Sequence, residues 1–305
     1  MRLGVLDVGS NTVHLQVVDT YPGARPNPTS NLKIDLRLIE FIDSSGFIRP
    51  EGIEELRSSI KSCLSEMKRA KATQLLPFAT SALREAGNGS DVINLINDEF
   101  DIDLQVLSGE EEAQITFLAA RRWFGWSSGR LLMIDIGGGS LELAVGVNES
   151  PDSAISLPLG ASRLTKEFLE GDPFTKNSIR KLRDEIESKL AEIIGNILSH
   201  QSTDRAIGTS KTLRTLARLT GDWADGDGKS LKLDGLRKIL PKLSEMTEDE
   251  RRELPGVSKS RARQIVAGAF IAEGVMRNLE VESLEICPWA LREGIVLKWM
   301  DWIKQ

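Results

Sequence analysis

Two short stretches of the chain carry the residue types that handle phosphate: Asp7-Val8-Gly9-Ser10-Asn11 and Asp135-Ile136-Gly137-Gly138-Gly139-Ser140. A polyanion can be held by backbone N–H groups, and glycine-rich turns aim several of them at one point. Three consecutive glycines between strands cost conformational entropy, so they need a reason. Taken alone, Gly137-Gly138-Gly139 reads equally well as a tight hairpin. The repetition argues for more, because a hairpin does not need an Asp at the end of its incoming strand, and both stretches have one. Asp7 and Asp135, facing each other across a cleft, would be able to hold a magnesium ion with its waters, since hard cations take oxygen ligands.

Such loops must be positioned by strands. Leu3 to Asp7 and Thr12 to Asp19 are apolar stretches joined by Gly9-Ser10-Asn11, a strand-turn-strand pattern. Asn27 to Asn31 reads as a polar loop and Leu36 to Phe41 as a returning strand. The apolar residues Ile53, Leu56, Ile60, Leu64 and Met67 fall at helical spacing within Glu51 to Ala70. Strands are expected at Leu75 to Ala79 and Leu104 to Leu107, and helices at Asp91 to Glu99 and Glu110 to Phe124. The opening pattern then recurs, with a strand at Leu131 to Ile136, the glycine turn, and a return at Leu141 to Val147. This is a weak internal duplication with one phosphate loop per domain. A strand follows near Ala154 to Leu159, then a long helix carrying Ile179 to Ile197, a strand at Arg205 to Gly208, and mostly helix to the end. Asp222 to Lys229 reads as a polar loop. The order implies an α/β protein with two sheets and a cleft between two domains, 1–120 and 121–305.

Composition narrows the setting. The 305 residues are 40% hydrophobic and 28% charged, and the net charge of −6 argues against bulk affinity for nucleic acid or anionic membrane. Cys63 and Cys287 make no disulfide scaffold. With His14 and His200 they are too few and too dispersed for a transition-metal site. No apolar run approaches the roughly 20 residues needed to span a bilayer, and the start lacks a signal-peptide pattern. A cytoplasmic setting is the expectation.

The paired loops, together with Ala79-Thr80-Ser81-Ala82-Leu83-Arg84-Glu85-Ala86, Leu107-Ser108-Gly109-Glu110-Glu111-Glu112-Ala113, Pro158-Leu159-Gly160-Ala161 and Ala290-Leu291-Arg292-Glu293-Gly294, resemble the exopolyphosphatase and guanosine pentaphosphate phosphohydrolase family. The likeness runs in order from residue 3 to about 298 and is greatest to the short, two-domain members. It implies two domains of the actin, Hsp70 and sugar-kinase type (ribonuclease H-like), with a cleft between them. The implied substrate is inorganic polyphosphate, with guanosine pentaphosphate as the alternative, and the implied cofactor is Mg²⁺, with Mn²⁺ as a substitute. Glu112 corresponds to the carboxylate that orients and deprotonates the attacking water. Glu142 corresponds to the second essential carboxylate beside the metal, Asp135 to a metal ligand, and Asp7 to a contributor through water. Ser10, Asn11, Gly137, Gly138, Gly139, Ser140, Thr209, Ser210 and Lys211 correspond to phosphate-binding positions, and Arg84 to a clamp on the terminal phosphate. Phosphoryl transfer asks for these parts, since it depends on positioning, charge neutralisation and an oriented water. A glutamate base near other carboxylates would have its pKa raised towards neutrality.

Blander readings compete at several positions. Glu110-Glu111-Glu112 would also complement a helix dipole; the family pattern removes only Glu112 from that reading. Arg292 reads as the partner of Glu293 or another carboxylate in a structural strut, and His14 as a core or supporting residue. Leu254-Pro255-Gly256-Val257-Ser258 resembles a DNA-binding hairpin, but its second glycine position is Ser258 and the chain is acidic, so a helix boundary and no DNA binding is the expectation. Trp299 and Trp302 share a helix and point to core or homodimer packing. Trp123 and Trp126 are candidates for an exposed patch. The family's Gly-Thr-Ser-Gly-Thr-like turn is here Gly208-Thr209-Ser210-Lys211-Thr212, and Arg263 replaces a common Asp. With Arg214 and Arg261, these cations suggest a track for a phosphate chain. A kinase of the same superfamily and a non-catalytic nucleotide sensor or filament protein are the other classes. The first lacks a visible adenosine signature, and the second has no need of Glu112.

Overall fold

In the computed structural model, residues 1–21, 25–193, 195, 203–224 and 226–303 are described. Ile197 and His200, both invoked from sequence, lie outside them. The chain divides into two compact units, Met1–Ala119 with Leu291–Gln305, and Ala120–Ala290.

The first unit is built on a five-stranded sheet of order β3-β2-β1-β4-β5. Strands β1 (Arg2–Val8), β2 (Thr12–Asp19) and β3 (Pro28–Asp35) form an antiparallel meander, and β4 (Gln74–Ala79) and β5 (Gln105–Val106) add in parallel. Helix α1 (Pro50–Arg69) lays Leu56, Ile60 and Cys63 against Leu6, Val13, Leu15 and Val17 of the sheet. Helices α2 (Ser81–Glu85), α3 (Gly89–Phe100) and α4 (Gly109–Phe124) follow.

The second unit has a six-stranded sheet of order β10-β11-β9-β6-β7-β8. Here β6 (Leu131–Ile136), β7 (Leu141–Gly146) and β8 (Ser153–Leu157) are the antiparallel meander, and β9 (Arg205–Gly208) and β11 (Ser283–Ile286) continue in parallel. Strand β10 (Ser230–Lys232) closes the edge. Helices α5 (Ala161–Phe168), α6 (Lys176–Ala191), α7 (Lys211–Trp223), α8 (Leu233–Glu245), α9 (Glu248–Arg252) and α10 (Ile265–Asn278) surround it. The core centres on α10, which is apolar around most of its surface and is buried along all but its last turn. Both sheets therefore run meander first and parallel strands second, and the duplication expected from the loops is a duplication of topology.

Four readings need correction. Strand β3 occupies residues taken for a polar loop, because its outer face is solvent-exposed and only alternate residues such as Leu32 and Ile34 meet the core. Leu38–Phe41, expected to be a strand, is a 3-10 turn that still buries Leu38 and Ile39. The short strands β10 and β11 interrupt a stretch expected to be mostly helix. Finally, helix α11 (Leu291–Trp302) belongs to the first unit rather than to a domain 121–305. It packs on β1, and Gly294 comes so close to α4 that a Cβ there would lie 2.2 Å from the carbonyl oxygen of Ile115.

The Pro255-Gly256 pair makes a turn with Gly256 at φ +80°, a conformation that favours glycine. Trp299 is buried, Trp302 is exposed, and Trp123 and Trp126 are exposed, with Trp123 edge-on to Trp289 at 5.2 Å. Among the described residues no helix is long and apolar enough to cross a membrane.

Candidate active site

The two loops are made the same way. Gly9 N–H donates to the Thr12 carbonyl at 3.0 Å, and Gly137 N–H donates to the Ser140 carbonyl at 2.9 Å. In the second loop the three glycine carbonyls all accept from the start of α5: Gly137 from Ala161 N–H, Gly138 from Ser162 and Arg163 N–H, and Gly139 from the Arg163 Nε at 2.8 Å. The loop thus caps α5, whose own N-cap, Gly160, has no side chain to do so. Because C=O and N–H point to opposite sides of a trans peptide, the N–H groups of Gly138, Gly139 and Ser140 are turned away from α5 together. Three N–H groups aimed the same way are what an anionic phosphate needs. The first loop repeats the device: Asn11 O accepts from Leu36 and Arg37 N–H, both at 2.9 Å, which turns the Thr12 N–H away. Contact between the Ser10 and Ser81 hydroxyls at 2.8 Å draws α2 to this loop.

Helix α2 carries Arg84, which donates through Nη1 to the Leu107 carbonyl at 2.8 Å and to Glu112 Oε2 at 3.2 Å. Glu112 is only 14% exposed and is set apart from its neighbours. Glu111 forms a reciprocal cap with Ser108, each side chain accepting from the other's N–H, and those bonds hold its carboxyl below the usual range. Glu110 pairs with Gln114. The blander reading therefore fits Glu110 and Glu111. Glu112 accepts from the Arg84 guanidinium, so a cation is among its neighbours.

In the second unit Asp135 and Glu142 stand directly opposite on β6 and β7, and Ser156 stands opposite Glu142 on β8. Glu142 is almost wholly buried. The Ser156 hydroxyl donates to Glu142 Oε1 at 2.9 Å, and the Thr209 hydroxyl donates to Asp135 Oδ2 at 2.5 Å. Two oriented carboxylates on one sheet face suit a hard cation. Among the described residues no cluster of three or more His, Cys, Asp or Glu stands ready for a metal. An ion here would keep most of its shell from water or phosphate, as Mg²⁺ does.

The corresponding row of the first unit differs. Asp7 is opposite His14, and His14 is opposite Lys33. Asp7 Oδ2 accepts from Arg292 Nη1 at 2.8 Å. Burial pushes the Asp7 carboxyl up and Arg292 works against that. His14 is pushed down to about 3 by burial, then by Arg292 and Lys33, and its Nε2 is buried without a hydrogen-bond partner. This surrounding does not suit a cation, so the expected metal role of Asp7 is not supported by its contacts. Arg292 is a carboxylate partner, as expected, but its carboxylate is Asp7.

Other expectations shift. Ser210 caps α7, its hydroxyl accepting from Leu213 N–H, and Thr209 serves Asp135, so neither side chain is aimed at phosphate alone. Lys211 is exposed in the first turn of α7. Arg214 donates to the carbonyls of Cys287 and Pro288, and Arg263 lies over Phe174 with Glu248 at 3.9 Å. Those two cations are engaged locally, which removes support for a continuous track. Sequence reasoning missed Ser156, Arg163 and the role of Gly160. Only Gly160 had a signal, its place in Pro158-Leu159-Gly160-Ala161.

Comparison with known proteins adds three findings. The model of the Ppx/GppA phosphatase family matches residues 17–302. "Exopolyphosphatase 1" of Mycobacterium leprae is 50% identical over 305 residues, covering 99% of this chain and 90% of that protein, and its namesake in Mycobacterium tuberculosis is also 50% identical over 305 residues, covering 99% and 89%. A crystal structure of an exopolyphosphatase from Cytophaga hutchinsonii superposes with a TM-score of 0.88 at 25% identity, covering 99% of this chain and 98% of that one.

Proposed function

The chain belongs to the Ppx/GppA phosphatase family, and on that premise we propose that it is an exopolyphosphatase, releasing terminal orthophosphate from inorganic polyphosphate. The observation that carries this reading is the second loop: three N–H groups turned the same way beside two oriented carboxylates. The relatives' names supply the substrate class.

In this reading the N–H groups of Gly138, Gly139 and Ser140 hold phosphate oxygens of the terminal residue, and Asp135 and Glu142 would hold Mg²⁺. When bound, that ion supplies neutralisation of phosphate charge. Glu112 orients a water and takes its proton as the water oxygen bonds to the terminal phosphorus. The bridging P–O bond breaks, and its electron pair leaves with the shortened chain. Arg84 holds Glu112 in place and supplies positive charge at the departing or equatorial oxygens. The groups would serve equally for the 5′-terminal phosphate of guanosine pentaphosphate.

The test is orthophosphate release from a polyphosphate of defined length, alone and in competition with guanosine pentaphosphate at equal concentration. Polyphosphate is expected to be consumed first, and Glu142→Gln to lower the rate at least a hundredfold. Full activity in Glu142→Gln would sink the assignment, and preferential use of guanosine pentaphosphate would move it to the second substrate.

A further inference from the structure

The shared topology gives each residue of one loop hairpin a counterpart in the other. Asp135 corresponds to Asp7, Glu142 to His14 and Ser156 to Lys33, because each set pairs in register across the same three strands. The second unit thus presents two carboxylates with hydroxyl donors, where the first presents one carboxylate, an imidazole and an ammonium. The first carboxylate already has a cation. Arg292 Nη1 sits 2.8 Å from Asp7 Oδ2, and Arg292 Nε donates to Gln16 Oε1 at 3.3 Å. Gln16 in turn donates to Glu293 Oε1 at 3.4 Å and to the Pro26 carbonyl at 3.3 Å.

The guanidinium is held from the backbone as well. Gly294 lets the first turn of α11 approach α4 to a distance that no Cβ permits. Two residues on from Arg292, that contact fixes where the guanidinium starts. Asp7 lies under the first loop, its Oδ1 being 3.7 Å from where a Cβ of Gly9 would be. A bare carboxylate there would repel any phosphate brought to the loop.

We propose that Arg292 is the resident cation of the first phosphate loop: it neutralises Asp7, Asp7 takes no metal, and divalent metal is held by the second unit. Arg292 is a positioning residue, acting on the phosphate chain through Asp7. The inference rests on the phosphohydrolase reading for its substrate, but its metal half stands apart from turnover. A guanidinium suits the place because it stays charged at any working pH and bonds a carboxylate in a fixed geometry.

The experiment has two arms. In the first, Mn²⁺ binding is counted by electron paramagnetic resonance without substrate. One Mn²⁺ per chain is expected, retained in Asp7→Asn and Arg292→Ala and lost in Glu142→Gln. Loss of Mn²⁺ in Asp7→Asn, or a second ion that depends on Asp7, would overturn the proposal whether or not the protein turns over polyphosphate. In the second arm, Arg292→Ala is expected to raise KM for polyphosphate at least about thirtyfold, the lower end of the cost of stripping one partner from a desolvated charge pair, with a smaller change in kcat. Arg292→Lys should recover part of the loss. Adding Asp7→Asn to Arg292→Ala should recover most of it, because the uncompensated charge is gone. A double variant no better than Arg292→Ala would refute the role of Arg292. Absence of turnover in the wild type would refute the activity while leaving the Mn²⁺ count to decide the metal question.

Discussion

Gly160→Ala should damage the phosphate loop without touching any group that meets substrate. Gly160 has φ −83° and ψ 145°, an extended conformation that alanine adopts freely, so any effect is steric. A Cβ there would lie 2.2 Å from the Gly139 carbonyl carbon, 2.3 Å from the Gly138 oxygen and 2.4 Å from the Gly139 Cα. All three are backbone atoms, and ordinary contact begins at 3.4 Å, so the loop or α5 must retreat by about 1.2 Å. The carbonyls tied to α5 then move, and the N–H groups on the other side of the same peptides move with them. A misplacement of about 1 Å costs on the order of a hundredfold in rate, roughly 2.7 kcal/mol of barrier. Overpacking should also remove about 1–3 kcal/mol of stability. Phosphate release at several polyphosphate concentrations, with thermal melting in parallel, reads both. Gly4→Ala is the comparator, because its Cβ would meet the end of the Leu75 side chain at 3.3 Å and leave both loops alone. A Gly160→Ala enzyme with kcat/KM within threefold of wild type would refute the argument that the α5 contact sets the loop.

The hydroxyls behind the carboxylates should matter for metal. Ser156→Ala and Thr209→Val are each expected to weaken Mg²⁺ dependence about ten- to a hundredfold, partly recovered at high Mg²⁺, which a titration of rate against Mg²⁺ reads directly. His14 predicts a pH effect on stability. Its folded pKa, about 3, lies below the unfolded value of about 6.5, so the native state refuses a proton that the unfolded state takes. Stability is therefore full above pH 6.5 and falls as pH drops, by about 1–2 kcal/mol at pH 5 once the partly exposed ring is allowed for. Urea melts of His14→Gln should lose that component of the slope. Glu111→Ala should cost about 1 kcal/mol in melting through the lost cap, with kcat nearly unchanged; a loss of activity as large as that of Glu112→Gln would place the chemistry on the wrong glutamate.

Much of this was legible in the sequence because the informative features are local. Strand ends, glycine turns and helix periodicity fix Leu131–Ile136 and Arg205–Gly208 to the residue. Glu112 was separated from its neighbours by the family pattern, and the cap between Ser108 and Glu111 supplies the physical reason for Glu111. What failed was non-local. Strand β3 is half-exposed and rich in Ser, Thr and Asn, and only its pairing with β2 makes it a strand. The strands β10 and β11 are too short to show a period of two. The placement of α11 in the first unit depends on Gly294 meeting Ile115, residues far apart in the chain. The same distance hid the Asp7–Arg292 pair. Asp7 and Asp135 look equivalent as motifs, and only the cross-strand partners His14 and Glu142 tell them apart.

We propose that a water oriented by Glu112 cleaves the terminal phosphoanhydride of polyphosphate. The most direct measurement is hydrolysis of a polyphosphate of defined length in ¹⁸O-labelled water with Mg²⁺, followed by mass analysis of the released orthophosphate. One labelled oxygen per released phosphate is expected from the wild type, with release by Glu112→Gln slowed at least a hundredfold while it still binds the polymer. Release without label, or an undiminished rate in Glu112→Gln, would contradict it.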